Sequence, residues 1–301
     1  MQDSTVNQYE MRDPRDAYPQ PPFPRQPQEA PGLATKMDPE PDHGEKSYQG
    51  LSRMKGRKAL ITGGDSGIGR ATAIAYMREG ASVVINYLET EQRDVDSLLD
   101  LAKAEGGTII PMPGNLMDEQ FCTSLVKDAA EQMGGLDVLV INAGKQVMQQ
   151  SIQDITTEQF DQTLKTNCYA MFWLCKAALP LMPPGAAIIN VTSVVGYNPM
   201  PALLDYSSTK FFIRGFTQAL AQQALKQGVR VNAVAPGPFW TPLQSSGGQT
   251  QDNLEEFGSS FPMGRPGQPA EIAPTFVFLA TQESGYVAGE VIGVTGGMPT
   301  S

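Results

Sequence analysis

From residue 57 onward the chain alternates short apolar runs with longer amphipathic ones, and that alternation leaves few folds open. Runs of five or six residues at 57–62, 82–86, 108–112, 136–141, 187–192, 229–234 and 291–295 read as strands. Periodic stretches between them, at 67–79, 90–105, 118–133, 157–182, 205–227 and 269–280, read as helices. Strands this apolar need cover on both faces, and parallel neighbours need right-handed crossovers. The expected fold class is α/β, a doubly wound parallel seven-stranded sheet with helices on both faces. Residues 1–50 stand apart: they hold nine of the 24 prolines, carry a net charge of −4 and show little apolar period. Such a segment cannot form its own core. It is expected either as an extended, polyproline-like tail or as an arm along its own body or a neighbouring subunit. Phe23, Leu33, Met37 and Tyr48 are the candidate anchors. The chain is thus expected as an arm over 1–50 and a single domain over 51–301.

The first strand runs into Thr62-Gly63-Gly64-Asp65-Ser66-Gly67-Ile68-Gly69-Arg70, where a helix opens. Gly63 permits a tight turn, and Gly67 removes a Cβ where backbone must approach a pyrophosphate. Gly69 lets the helix pack close to the sheet. The helix start then offers unpaired N–H groups and a positive dipole end to phosphates. A glycine-rich string alone is a weak signal. Its place between the first strand and first helix points to a dinucleotide site of the Rossmann type.

The spacing T-G-x-x-x-G-I-G resembles that of the short-chain dehydrogenase/reductase family, and further motifs follow in family order. Asn142-Ala143-Gly144 follows the fourth strand, Asn167 lies within the next helix, and Ser193 follows the fifth strand. Tyr206 and Lys210 form a Y-x-x-x-K pair, and Pro236-Gly237 and Thr241 follow the sixth strand. The likeness spans about residues 55–297 and looks like a bacterial branch of largely uncharacterised oxidoreductases with an N-terminal extension. It implies dinucleotide contacts from Gly63, Asp65, Ser66, Gly67, Ile68, Gly69, Asn86, Tyr87, Asn115, Leu116, Asn142, Ala143, Gly144, Tyr206, Lys210, Pro236, Gly237 and Thr241. It implies a catalytic set of Asn167, Ser193, Tyr206 and Lys210, with no catalytic metal. It also implies a mobile substrate lid over about 238–266, carrying Phe239, Trp240, Leu243 and Arg265, with Gly247, Gly248 and Gly258 for flexibility. A homotetramer built partly from the two longest helices is expected, and Gln146, Tyr197, Asn198 and Leu203 should face the pocket.

After the second strand, Asn86-Tyr87-Leu88 offers neither an acid for a ribose 2′-hydroxyl nor a base for a 2′-phosphate. Ser66 stands where phosphate-preferring relatives often carry a base, next to Asp65, and only Arg70 and Arg93 are nearby cations. The balance favours NAD, with NADP left open. Asn115 replaces an Asp that the family usually has near the adenine; its amide oxygen can still accept from the adenine amine. Thr295 stands where many relatives have Asp.

The residue types fit carbonyl–alcohol chemistry. A free tyrosine with a pKa of about 10 is a poor base at neutral pH, and an ammonium one helical turn away favours the phenolate. Tyr206 then donates a proton in reduction and accepts one in oxidation. Ser193 holds the substrate oxygen, and the cofactor carries the hydride. In the family pattern Asn167 links Lys210 through water to solvent. The expected activity is NAD(P)-dependent interconversion of a small carbonyl compound (aldehyde, ketone or sugar) and its alcohol. Dinucleotide-sensing proteins without turnover reuse such folds. They typically lose the tyrosine or the lysine, and this chain keeps both.

Composition removes other classes. A net charge of −10 disfavours nucleic acid, an anionic membrane surface and an acidic carrier protein as partners. The one histidine, His43, lies in the proline-rich stretch, which argues against a Ser-His-Asp triad or a His-rich zinc site. Cys122, Cys168 and Cys175 form no C-x-x-C pair and read as thiols of a reducing cytoplasm. No run is long and apolar enough for a membrane span, and no signal pattern opens the chain. A cytoplasmic enzyme is expected.

Overall fold

A computed structural model describes residues 8–300. Seven parallel strands form one sheet: β1 (Lys58–Thr62), β2 (Ser82–Tyr87), β3 (Thr108–Pro113), β4 (Val138–Ile141), β5 (Ala187–Val191), β6 (Arg230–Pro236) and β7 (Val291–Val294). Their spatial order is β3-β2-β1-β4-β5-β6-β7, in parallel register throughout. The order reverses between β1 and β4, which opens a crevice at the carboxyl ends of those strands. The expected doubly wound seven-stranded sheet is what the chain forms.

Side-chain alternation along the strands feeds two cores. Ile61, Val83, Ile85 and Ile189 meet Ile74 of α1 (Gly67–Arg78), Leu98 of α2 (Gln92–Glu105) and Phe276 of the late C-terminal helix. Leu60, Val84, Leu139 and Ile188 meet Leu125 of α3 (Glu119–Met133) and, on the same face, Leu174 and Ile213 of the later helices. Next come α4 (Thr157–Leu164) and α5 (Ala170–Ala178). The helix expected over 157–182 is not continuous: a π turn at Lys165–Tyr169 joins α4 to α5, and a short 3-10 turn carrying Pro180 ends it. A π turn inserts one residue into the helical ladder, and here it buries Asn167 toward the sheet. α6 (Leu204–Ala224) and the short α7 (Gln251–Glu255) follow, then α8 (Pro269–Ala280), the helix that carries Phe276. β4 starts two residues later than expected and β6 runs two further, while β7 stops before Thr295.

The described part of the N-terminal segment lies against its own chain. Phe23 stacks on Trp240 at 4.2 Å between ring centroids, and its N–H donates to Glu255 O at 2.8 Å. Phe23, Met37 and Tyr48 are buried, and Leu33 is half-buried. Arg25 pairs with Asp252 and Glu255, and Trp240 Nε1 donates to Pro39 O at 2.8 Å. Arg265, buried in an ion pair with Glu271, donates to Pro14 O at 3.0 Å. Further along, Ala270 N donates to Asp42 O, and Tyr48 donates to Glu79 at 2.7 Å. No helix among the described residues is long and apolar enough to cross a membrane.

Candidate active site

A cavity of about 870 Å³ opens at the carboxyl ends of the strands. Its floor is set by β1 and β4. Thr62 Oγ1 accepts the backbone N–H groups of Asn142 and Ala143 at 3.0 and 3.1 Å, and Asn142 Nδ2 donates back to the carbonyls of Thr62 and Gly63. These bonds pin the glycine-rich loop to the Asn142-Ala143-Gly144 turn. Gly67 opens α1 at φ +50°, a conformation that resists a side chain. A Cβ on Gly69 would lie 1.8 Å from Gly63 O, so only glycine lets the helix close on the loop. Ser66 makes no side-chain cap to α1, and no acid lies in the helix's first turn, which leaves its N-terminal dipole free for an anion. The loop and helix start therefore fit a pyrophosphate.

All the expected dinucleotide residues except Gly69 line this cavity. Gly69 serves the packing behind the wall instead. The amide of Asn86 donates to the Met112 and Gly114 carbonyls, and the Asn115 side chain accepts from Met117 N, so both shape the adjoining turns. Tyr87 donates to Gln92 at 2.6 Å. Arg70 is turned away, bonding to Glu45 and to the Asp94 carbonyl, and Arg93 is exposed off the wall. Asp65 and Glu91 line the cavity instead. Burial pushes Asp65 up to about 6, against hydrogen bonds from Ser66 and its own backbone. Burial, then the charge of Asp65, pushes Glu91 up to about 8.

At the other end Ser193, Tyr206 and Lys210 converge. Ser193 and Tyr206 line the same wall, and Lys210 Nζ lies 5.2 Å from the Tyr206 ring centre. Lys210 Nζ donates to Val191 O at 2.9 Å, which ties it to the end of β5. Asp205 anchors the helix start: it accepts Tyr206 N at 2.8 Å and the hydroxyl of Thr163 at 3.0 Å. Asn167 stands behind the wall. Its side chain accepts from Lys145 N and donates to Lys145 O and Thr209 Oγ1. Burial raises Tyr206 to about 12, partly opposed by Ser193, and lowers Lys210 to about 8.

Gln146 and Leu203 line the cavity as expected, with Phe239 and Leu243. Tyr197, Asn198 and Trp240 do not. Tyr197 carries the Arg214 guanidinium over its ring, Asn198 donates to Pro299 O, and Trp240 points into the arm. Among the wall residues without a sequence signal are Ala30, Pro31 and Gly32 of the N-terminal segment, which reach the same cavity. They were missed because nothing local marks a segment that docks on residues more than 200 positions away.

A family profile described as enoyl-(acyl carrier protein) reductase matches residues 63–299. The chain is 54% identical to the uncharacterised oxidoreductase YhxD of Bacillus subtilis, over 93% of this chain and 94% of that protein. It is 39% identical to the glucose and ribitol dehydrogenase of Daucus carota, over 91% of this chain and 96% of that one. Among solved structures, a short-chain dehydrogenase from Burkholderia cenocepacia in complex with NADP superposes with a TM-score of 0.75 at 28% identity, covering 81% of this chain and 98% of that one. With the sheet order, the glycine-rich loop and the Tyr206–Lys210 helix already in place, these likenesses settle the lineage: the chain belongs to the short-chain dehydrogenase/reductase family and is an NAD(P)-dependent oxidoreductase.

Proposed function

We propose that this enzyme interconverts a small polar carbonyl compound, a sugar or polyol above all, and its alcohol, with NAD preferred over NADP. The observation that carries the reading is the convergence of Ser193, Tyr206 and Lys210 at the closed end of a cavity whose other end fits a dinucleotide. The loop 63–69, Asn142-Ala143-Gly144 and Pro236-Gly237 would hold that dinucleotide, which supplies or accepts hydride when bound. Ser193 orients the substrate oxygen. Tyr206, protonated in the buried site, delivers its proton to that oxygen as reduction proceeds and recovers it from the alcohol in reverse. Lys210 lowers the cost of the phenolate left behind. Asn167 is a positioning residue: it fixes the Lys145 backbone beside the site and braces Thr209, whose hydroxyl bonds the Tyr206 carbonyl.

A sugar or polyol is favoured by the amides Gln146, Gln244, Gln249 and Asn253 along the substrate side of the cavity. The name of the carrot relative points the same way. The net charge of −10 weighs against an acidic carrier protein. The buried thiols Cys122, Cys168 and Cys175 suit a reducing cytoplasm. Phe160, Tyr169, Phe172, Phe211 and Phe212, exposed along α4, the π turn, α5 and α6, support the expected homotetramer. Residues 1–50 are read as an arm that belongs to the lid over 238–266. The test is calorimetric titration of the four nicotinamide dinucleotides into wild type and Tyr206→Phe, then a polyol and aldose screen with the tighter pair. Binding in both proteins, with turnover lost by about 10²- to 10⁴-fold in Tyr206→Phe, supports the reading. Binding without turnover of any polyol or aldose removes the substrate class.

A further inference from the structure

Ala30, Pro31 and Gly32 form the tip of a tight loop and line the cavity without a charged or hydrogen-bonding side chain. So plain a tip is firmly held. The Gln28 side chain closes the loop on itself: its Nε2 donates to Leu33 O at 3.2 Å, and its Oε1 accepts Leu33 N at 2.8 Å. On one flank the loop is fixed to the segment 238–266, read as the lid. Gln28 N donates to Ser245 O at 3.1 Å, and a Cβ on Gly32 would lie 3.0 Å from Ser246 Cβ and 3.1 Å from Pro242 O. On the other flank it is fixed to the first turn of α2. There Asp94, fully buried, accepts Ala34 N at 2.6 Å, Thr35 N at 3.2 Å and the Thr35 hydroxyl at 2.8 Å. The loop therefore bridges the lid and α2 on a cavity wall that also holds Asp65, Leu88 and Glu91.

A buried carboxylate is costly without donors, and every hydrogen bond to the Asp94 carboxylate comes from the N-terminal segment. Such charge-assisted bonds are strong and directional. An anchor for the arm alone could stand anywhere along it; this one grips Ala34, two residues past the tip. We propose that Asp94 is a positioning residue for the dinucleotide: through Ala34 and Thr35 it sets the tip 30–32 as the wall that closes the cavity between the lid and α2, so that a bound dinucleotide leaves only when the tip lifts. This rests on the reading of the cavity as a dinucleotide site and adds how that site retains its ligand. Asp94 does not line the cavity and acts only through the arm's backbone.

Two further features fit this role. Arg70 of α1 donates through Nη1 to the Asp94 carbonyl at 2.7 Å and through Nε to Glu45 of the arm at 2.9 Å, so arm, α1 and α2 are tied at one place. The tip itself carries no charge to bind the ligand. A wall that moves aside at each exchange is best held at its flanks, where the grip sets the rate of opening. Electrostatics alone gives the opposite expectation for Asp94. Taking a negative charge from beside the cavity would tighten the hold on an anionic dinucleotide.

The test is the rate at which the reduced dinucleotide leaves the full chain. It is followed by stopped-flow fluorescence during a chase with the oxidised form, using whichever of NADH and NADPH wild type binds more tightly. Asp94→Asn should speed release on the order of tenfold. Gln28→Leu loosens the tip from the other flank with no change of charge and should move the rate the same way. Thr35→Val should give a smaller increase, and Thr35→Ser, which keeps the hydroxyl, the wild-type rate. Amide hydrogen exchange at 33–35 should slow in wild type when the dinucleotide binds, a response that an arm serving stability alone would not give. Thermal unfolding checks that each variant is folded; if Asp94→Asn is not, Gln28→Leu and the two Thr35 variants carry the comparison. Unchanged release in the folded variants, slower release in Asp94→Asn, or exchange at 33–35 indifferent to the dinucleotide overturns the inference and leaves the oxidoreductase reading standing. Failure of wild type to bind any of the dinucleotides overturns both.

Discussion

At the scale of single residues, the proton affinities of the proposed reacting groups are set by burial as much as by partners. Lys210 is 3% exposed, and its affinity for a proton falls from an ordinary 10.5 to about 8 in the folded chain. Between those values the unfolded chain holds a proton that the folded chain has released, so stability rises with pH across that window. Tyr206, raised to about 12 from 10.0, adds an opposite trend only above about pH 10. Wild type should therefore gain on the order of 2 kcal/mol relative to Lys210→Met between about pH 8 and 10. Denaturant unfolding of both proteins at the two ends of that window checks it, and parallel curves would remove the buried-lysine account. The positions of Ser193, Tyr206 and Lys210 were legible in the sequence because type, spacing and order agree. Their proton affinities were not, since the depth of burial depends on the whole fold. Side-chain direction was equally hidden: Trp240 and Tyr197 were expected on the pocket and instead serve the arm and Arg214.

At the scale of elements, apolar periodicity located every strand of the sheet and both long helical stretches. It could not find the π turn at Lys165–Tyr169, because one inserted residue shifts the pattern by less than the width of an apolar stripe. That turn carries Asn167, whose amide bridges both backbone groups of Lys145. The tightest constraint between elements is where α1 meets the end of β1. Gly69→Ala would set a Cβ 1.8 Å from Gly63 O, and neither atom can move without shifting the helix. The expected outcome is loss of dinucleotide affinity by at least about tenfold, with a lower melting temperature. Wild-type binding by Gly69→Ala would mean that the loop has slack the geometry denies.

At the scale of the whole molecule, the described part of the N-terminal segment packs against the stretch from Trp240 to Glu271. The apolar spacing of Phe23, Met37 and Tyr48 was readable, but the surface they dock on was not, because it is assembled from distant residues. Phe23→Ala should cost about 3 kcal/mol of docking and expose Trp240, one of the chain's two tryptophans. The expected signature is red-shifted emission and a higher KM, while the melting of the sheet core changes little. An unshifted spectrum would show that Phe257 and its neighbours hold Trp240 without Phe23. The same geometry imposes an order on folding. Arg25 contacts a residue 230 positions downstream, and Arg265 reaches 251 positions back to Pro14. Pro14 and Arg25 thus close loops that span most of the chain, whereas Ala34 and Tyr48 dock on Asp94 and Glu79, 60 and 31 positions away. Contacts that span most of the chain are made late in folding, so the seating of Phe23 on Trp240 should be completed only after the sheet has formed.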